Sequence, residues 1–296
     1  MFKIIESLLT ACLIANSAAA EVRIVASTSD LASIAREIGR EHVDVDDIVS
    51  GKSNPHFVEV LPSYMVKLAR ADLYLSVGLG LDYWAQYIID GSRNGKLVIM
   101  DCSDGIEALE KPTGKIDASM GDIHPSGNPH YWLDPENGKI IAANIEKALS
   151  RIDPSNSEYY RSRLLEFENA LDSRIHEWRA KAAALDGAEI IAFHNSWPYL
   201  SAAFGIKIRG FIEPKPGIEP TPSHTAELIE LVRAGNIKLI VKEPYFSDRV
   251  PLVIAREAGA TVVELPLSVG GNKSAMDYFA LFDYIVDSLL KGLGRN

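Results

Sequence analysis

The stretch "SNSEYYRSRLLEFENALDSRIHEWRAKAAAL", from Ser155 to Leu185, holds neither glycine nor proline, and its apolar residues Leu164, Phe167, Leu171, Ile175 and Trp178 recur at intervals of three and four. That spacing predicts one unbroken helix. At about 1.5 Å per residue it reaches about 40 Å, enough to cross a molecule of this size. Such a helix reads as a stiff connector, and the sequence on either side decides what it connects.

Before it, short β-branched runs alternate with helical patterns: "VRIVAS", "DLASIAREIGR", "HVDVDDIVS", "SYMVKLARA", "DLYLSVG", "LDYWAQYIIDGS" and "KLVIMDC". After it the alternation resumes with "AEIIAFH", "SWPYLSAAFG", "IKIRGFIEP", "SHTAELIELVRAG", "IKLIVKEP", "DRVPLVIAREAG" and "ATVVELPLS", and ends on a helix "DYFALFDYIVDSLLKGL". Strands alternating with helices predict largely parallel sheets. The expected fold is therefore α/β, with two lobes joined by one long rigid helix: residues 21–153, a connector over 154–186, and residues 187–296. Ligands of such sheets bind beyond the carboxyl ends of the strands, here in the cleft between lobes.

Residues 1–20 read as a secretory signal peptide, with Lys3, an apolar stretch from Leu8 to Ala15, and Ala18-Ala19-Ala20 before Glu21. The expected location is the periplasm. A second reading takes Leu9-Thr10-Ala11-Cys12 as a lipoprotein box, with Cys12 lipid-anchored, but that signal would be very short and interrupted by Glu6. With Cys12 removed, Cys102 is the only cysteine left, so the core and not a disulfide must hold the fold. Cys102 itself reads as a small buried residue. The net charge of −10 argues against nucleic acid or an anionic membrane surface as partner and suits a small cation.

The chain has 7 histidines, and two sit in the same frame: Asn54-Pro55-His56-Phe57 and Asn128-Pro129-His130-Tyr131. Proline fixes φ and biases the residue before it away from helix, so each histidine enters from a defined turn. His194 ends the strand "EIIAF" at the cleft. Two imidazoles from the first lobe and one from the second suit a borderline-soft divalent ion. His42, His176 and His224 read as ordinary surface or packed rings.

The order "NPHFVEVLPS", "ADLYLSVGLGLD", "NPHYWLDPENG", the long helix, "AFHNSWPYLSAAFGI", "EPKPGIEPTPSH" and "KEPYF" resembles the zinc- and manganese-binding receptors that deliver metal to ABC importers. The resemblance runs over essentially the whole chain after residue 20. It implies one metal held between two lobes by His56, His130 and His194, a membrane permease as partner, and no catalysis. A periplasmic metal donor is a further partner to expect, and the receptor is expected to be a monomer.

The fourth ligand departs from the family pattern. Where many members carry an aspartate before the last helix, this chain has Pro266, Leu267 and Ser268. Glu243, at the end of "IKLIVKE", is the first substitute, a water or anion the next, and His124 and Glu59 the remotest. Three imidazoles and one oxygen favour tetrahedral Zn2+ as the transported cargo, with Mn2+, which prefers more oxygen ligands, second.

Two other classes of protein could use such histidines. A zinc hydrolase would also use three protein ligands, but the chain has no His-Glu-x-x-His helix and no Gly-x-Ser-x-Gly elbow. A structural metal in an interaction protein would ordinarily close with four protein ligands, often cysteines. The polar stretch over residues 103–128 reads as a loop. Its His124, near Asp117 and Asp122, is either part of a flap offering a transient ligand during loading or part of a plain solvated loop. A single long connecting helix also predicts small lobe movement on loading.

Overall fold

Residues 21–114, 121 and 124–295 are described by the computed structural model. The expected signal segment, Cys12, Asp117 and Asp122 lie outside the described residues.

The first lobe contains β1 (Val22–Thr28), α1 (Ser29–Gly39), β2 (Val43–Val49), α2 (Pro62–Arg70), β3 (Leu73–Ser76), α3 (Ala85–Ser92), β4 (Val98–Asp101) and α4 (Asn137–Ile152). The long helix α5 (Ser157–Ala182) follows. The second lobe contains β5 (Glu189–Ala192), α6 (Pro198–Phe204), β6 (Lys207–Phe211), α7 (Pro222–Ala234), β7 (Leu239–Lys242), α8 (Arg249–Ala258), β8 (Thr261–Glu264) and α9 (Tyr278–Gly292). The two four-stranded sheets have matching orders, β2-β1-β3-β4 and β6-β5-β7-β8. Every named strand pair is parallel.

Strand periodicity distributes the core. Along β1, Ile24 and Ala26 enter one hydrophobic core while Val25 enters another. Along β5, Ile190 and Ala192 face the same large core and Ile191 the outer side. The inner faces of both sheets thus join a single core, filled by α1, α4, α5 and α9, and each outer face carries its own smaller cluster under α2–α3 or α7–α8. Two-sided burial of the central strands β1, β3, β5 and β7 explains their largely apolar sequences, while the edge strands β2, β4, β6 and β8 are partly exposed.

Helix α5 is more than a tether. Its stripe of Tyr160, Phe167, Leu171, Ile175, Trp178 and Ala182 is buried. Phe167 packs edge-on against Phe279, and the Trp178 indole N–H donates to Asp283 at 2.8 Å. Truncating a buried tryptophan of this kind to alanine costs about 3–5 kcal/mol.

The lobes are also joined directly. Trp132 Nε1 donates to the Leu267 carbonyl at 3.0 Å, and Tyr278 Oη donates to the Trp132 carbonyl at 2.7 Å. The Ser29 hydroxyl donates to the Val269 carbonyl at 2.7 Å, and the Val269 amide donates to Asp30 at 2.9 Å. The segment Pro266-Leu267-Ser268, where the family pattern expects an aspartate, therefore lies in a stretch bonded to the first lobe. Among the described residues no helix is long and apolar enough to cross a membrane.

Candidate metal centre

All three sequence-selected histidines follow the carboxyl ends of strands: His56 follows β2, His130 follows β4, and His194 lies just beyond β5. Each offers a ring nitrogen, and these nitrogens all lie within 4.8 Å of one another. His56 Nε2 and His130 Nε2 are 3.0 Å apart. A tetrahedral site with bonds of about 2.0–2.1 Å places its nitrogens roughly 3.3 Å apart, so small ring movements suffice to seat an ion. His130 and His194 are buried and His56 is half-buried.

The Asn-Pro-His frame works through its asparagine as well as its proline. Asn54 Oδ1 accepts from the His56 amide at 3.0 Å, and Asn128 Oδ1 accepts from the His130 amide at 3.1 Å. Each is an Asx turn, a side chain completing the backbone turn that aims the next ring. Asn128 Oδ1 also accepts from His130 Nδ1 at 2.9 Å. With its proton held on Nδ1, His130 presents a bare Nε2 to the cluster.

The same logic applies to the other two rings. His194 Nδ1 donates to Glu213 Oε2 at 2.6 Å, leaving its Nε2 bare. His56 Nδ1 faces His124 Nε2 at 3.3 Å. When His56 Nε2 ligates, the neutral ring carries its proton on Nδ1, where the His124 nitrogen can accept it. Partners of this kind fix tautomer and orientation and raise ligand basicity. Burial first, then the adjoining rings of His56, His194 and His124, hold His130 well below the ordinary imidazole pKa, which keeps it neutral and able to ligate.

Glu243 is placed differently. It is fully buried at the end of β7, but its carboxylate does not join the three-nitrogen group. Its Oε1 accepts from the Ser196 hydroxyl at 2.5 Å, and its buried Oε2 has no hydrogen-bond partner among the described residues. Burial pushes this carboxyl up to about 7, opposed by the proximity of His194. His124 touches the cluster from outside through His56, and Glu59 is not among the grouped ligands.

Glu213 carries a role that the sequence reading did not assign. Its amide donates to the Phe193 carbonyl at 3.0 Å, so the parallel pairing of β5 with β6 continues far enough to set residue 213 beside His194. A signal was present: Glu213-Pro214 and Glu243-Pro244 are two Glu-Pro pairs beyond the ends of strands flanking β5. Among the remaining histidines, His42 packs edge-on against Tyr159, and His224 Nε2 donates to the Phe211 carbonyl at 2.9 Å. Cys102 is buried and, among the described residues, has no disulfide partner. Trp132 lies beside the cluster, with its ring 5.4 Å from that of His130.

A two-lobed parallel α/β protein with a three-imidazole site between its lobes has the architecture of a metal-binding receptor. Residues 24–292 match the family model described as zinc-uptake complex component A, periplasmic, and the chain belongs to that family. Its members are substrate-binding receptors of metal ABC transporters and not enzymes. The chain is 25% identical over 289 residues to the manganese ABC transporter substrate-binding lipoprotein PsaA of Streptococcus pneumoniae, covering 93% of this chain and 90% of that protein. It is 24% identical to the high-affinity zinc uptake system protein ZnuA of Bacillus subtilis, covering 89% and 83% respectively. A crystal structure of ZnuA superposes with a TM-score of 0.80 at 25% identity, covering 92% of this chain and 99% of that one. The family's cargo is a divalent metal, and its named members divide between manganese and zinc.

Proposed function

We propose that this protein is a zinc receptor: it captures Zn2+ between its lobes with His56, His130 and His194 and delivers the ion to the membrane permease of an ABC importer. The observation that carries this reading is the convergence of three ring nitrogens within 4.8 Å. Their all-nitrogen chemistry favours zinc, because manganese prefers carboxylate and other oxygen donors at higher coordination number. Manganese is the second reading, supported by the name of the pneumococcal relative. Equilibrium competition between the two ions for the chelator-stripped protein tests the order.

Glu243 is the protein candidate for the fourth donor, because its Oε2 is buried and unpartnered close to the cluster. A water or small anion is the competing reading, favoured by the carboxylate's place outside the three-nitrogen group. Residues 21–153 and 187–296 form the lobes of the proposed receptor, and residues 154–186 connect them. The receptor acts as a periplasmic monomer, loaded from solution or by a periplasmic metal donor. An anchor at Cys12 is the second reading of its location, supported by the lipoprotein relative. Cargo is distinguished from structural metal by heating: stripped protein should unfold cooperatively from a folded state, with zinc raising its Tm by mass action.

A further inference from the structure

We propose that Glu110, on the loop after β4, is a positioning residue that ties the two halves of the metal site together and slows metal release. This rests on the receptor reading above and concerns a carboxylate that is not itself a ligand.

One oxygen of Glu110 serves both lobes. Its Oε2 accepts from Asn128 Nδ2 at 3.1 Å and from Asn195 Nδ2 at 2.7 Å. Asn128 is the first residue of the second Asn-Pro-His frame, and Asn195 directly follows His194. Asn128 Nδ2 also donates to the Asn195 carbonyl at 2.8 Å. With both amide hydrogens of Asn128 committed, its oxygen faces His130 and accepts from the ring's Nδ1. Glu110 therefore helps select the tautomer that leaves His130 Nε2 bare, while holding the residue beside His194 to the same point.

The backbone is arranged to deliver this carboxylate. Glu110 has a φ of 54°, a left-handed conformation that non-glycine residues seldom adopt, and such conformations persist where neighbours impose them. The neighbours are identifiable. The Leu109 amide donates to Tyr199 Oη at 2.9 Å, Tyr199 Oη donates to the Asn128 carbonyl at 2.8 Å, and the Asn128 amide donates to the Leu109 carbonyl at 2.8 Å. Tyr199 belongs to the second lobe, so the cycle spans the cleft. Glu110 itself is exposed and lines a cavity of about 350 Å³ together with His124, Asn128, His130, His194 and Asn195. Its bonds therefore border the cavity into which His130 and His194 open.

The test is zinc release into excess chelator, followed by stopped flow, for the parent, E110A, E110Q, N195A and the E110A/N195A double variant. E110A should release zinc about tenfold faster, at the lower end of what losing an outer partner of a metal ligand costs. E110Q keeps an oxygen that can accept both amides and should stay within about threefold of the parent. N195A should accelerate release, with E110A/N195A little faster than E110A alone, because both changes break one clamp. Release from E110A at the parent rate, or fully multiplicative effects of E110A and N195A, would overturn the proposal. The Tm of metal-free E110A, expected to match the parent's, separates positioning from a general loss of structure. Failure of the receptor reading looks different: the parent itself would hold no zinc tightly.

Discussion

His194 donates through Nδ1 to Glu213 Oε2 at 2.6 Å, and the Gly217 amide donates to the same oxygen at 3.1 Å. The carboxylate is thereby held from its own loop while it holds the ring, a two-step support for one nitrogen of the proposed site. Outer partners of this kind typically contribute 10–100-fold in metal affinity. E213A should accordingly weaken zinc binding by about 10–100-fold, and E213Q, whose oxygen still accepts from Nδ1, by less. Equal losses in the two variants would mean that charge matters more than orientation at this position.

Glu243 separates the two readings of the fourth donor. As a ligand, it should make E243Q bind zinc markedly more weakly, since an amide oxygen is a poorer donor than a carboxylate. As a buried neighbour only, it should leave affinity within about threefold, while E243Q stabilises the metal-free protein by removing a carboxyl that is costly to ionise in its buried site. Isothermal titration together with urea unfolding of the stripped protein distinguishes the outcomes.

Asp30 gives a pH dependence of stability. Burial raises its carboxyl to about 7, although bonds from Ser268 and the Val269 amide act in the opposite direction. The folded state then binds a proton that the unfolded chain, with an ordinary pKa near 3.9, has already lost above that pH. This contribution is fully present below the unfolded pKa and fades as pH rises through about 7. Between pH 5 and 7 the metal-free parent should lose about 2 kcal/mol relative to D30N, which keeps an oxygen for the Val269 amide. Parallel stability curves for the two proteins would show that Asp30 does not titrate this way.

Lobe movement on loading should be small. Ser29, Asp30 and Trp132 bond the stretch from Leu267 to Val269, Tyr278 bonds Ser33 and Trp132, and one hydrophobic core runs through both lobes around α5. A wide hinge opening would break these bonds and expose that core. Solution scattering with and without zinc should give radii of gyration equal to within about 1 Å, compared with the larger change expected of domains closing on flexible hinges. A change of several ångströms would contradict this.

Much of the fold was legible because the physics behind it is local. The three-and-four spacing of Phe167, Leu171, Ile175 and Trp178 predicts α5, and the β-branched runs predict all eight named strands. His56, His130 and His194 were readable from a repeated frame and a strand end. The first turn of the predicted helix beginning at Leu81 was not, since α3 starts only at Ala85. Glu213 escaped because its role depends on the pairing of β6 with β5, a non-local property. Glu110 escaped for a different reason: a left-handed residue in a stretch without periodicity carries no pattern that predicts where its side chain goes. The asparagines of the Asn-Pro-His frames were visible, but sequence directs attention to proline, while the bonds that aim the rings come from the amide oxygens.

The most direct measurement is competitive titration of the chelator-stripped protein with zinc and manganese, on the parent and on H56A, H130A and H194A. One tight zinc site per chain is expected, preferred over manganese and weakened by at least about 100-fold in each variant, because removing one of three ligands leaves two imidazoles to hold the ion. A site that prefers manganese would overturn the choice of cargo. Zinc binding indifferent to H130A would show that the two Asn-Pro-His frames and His194 do not close on one ion.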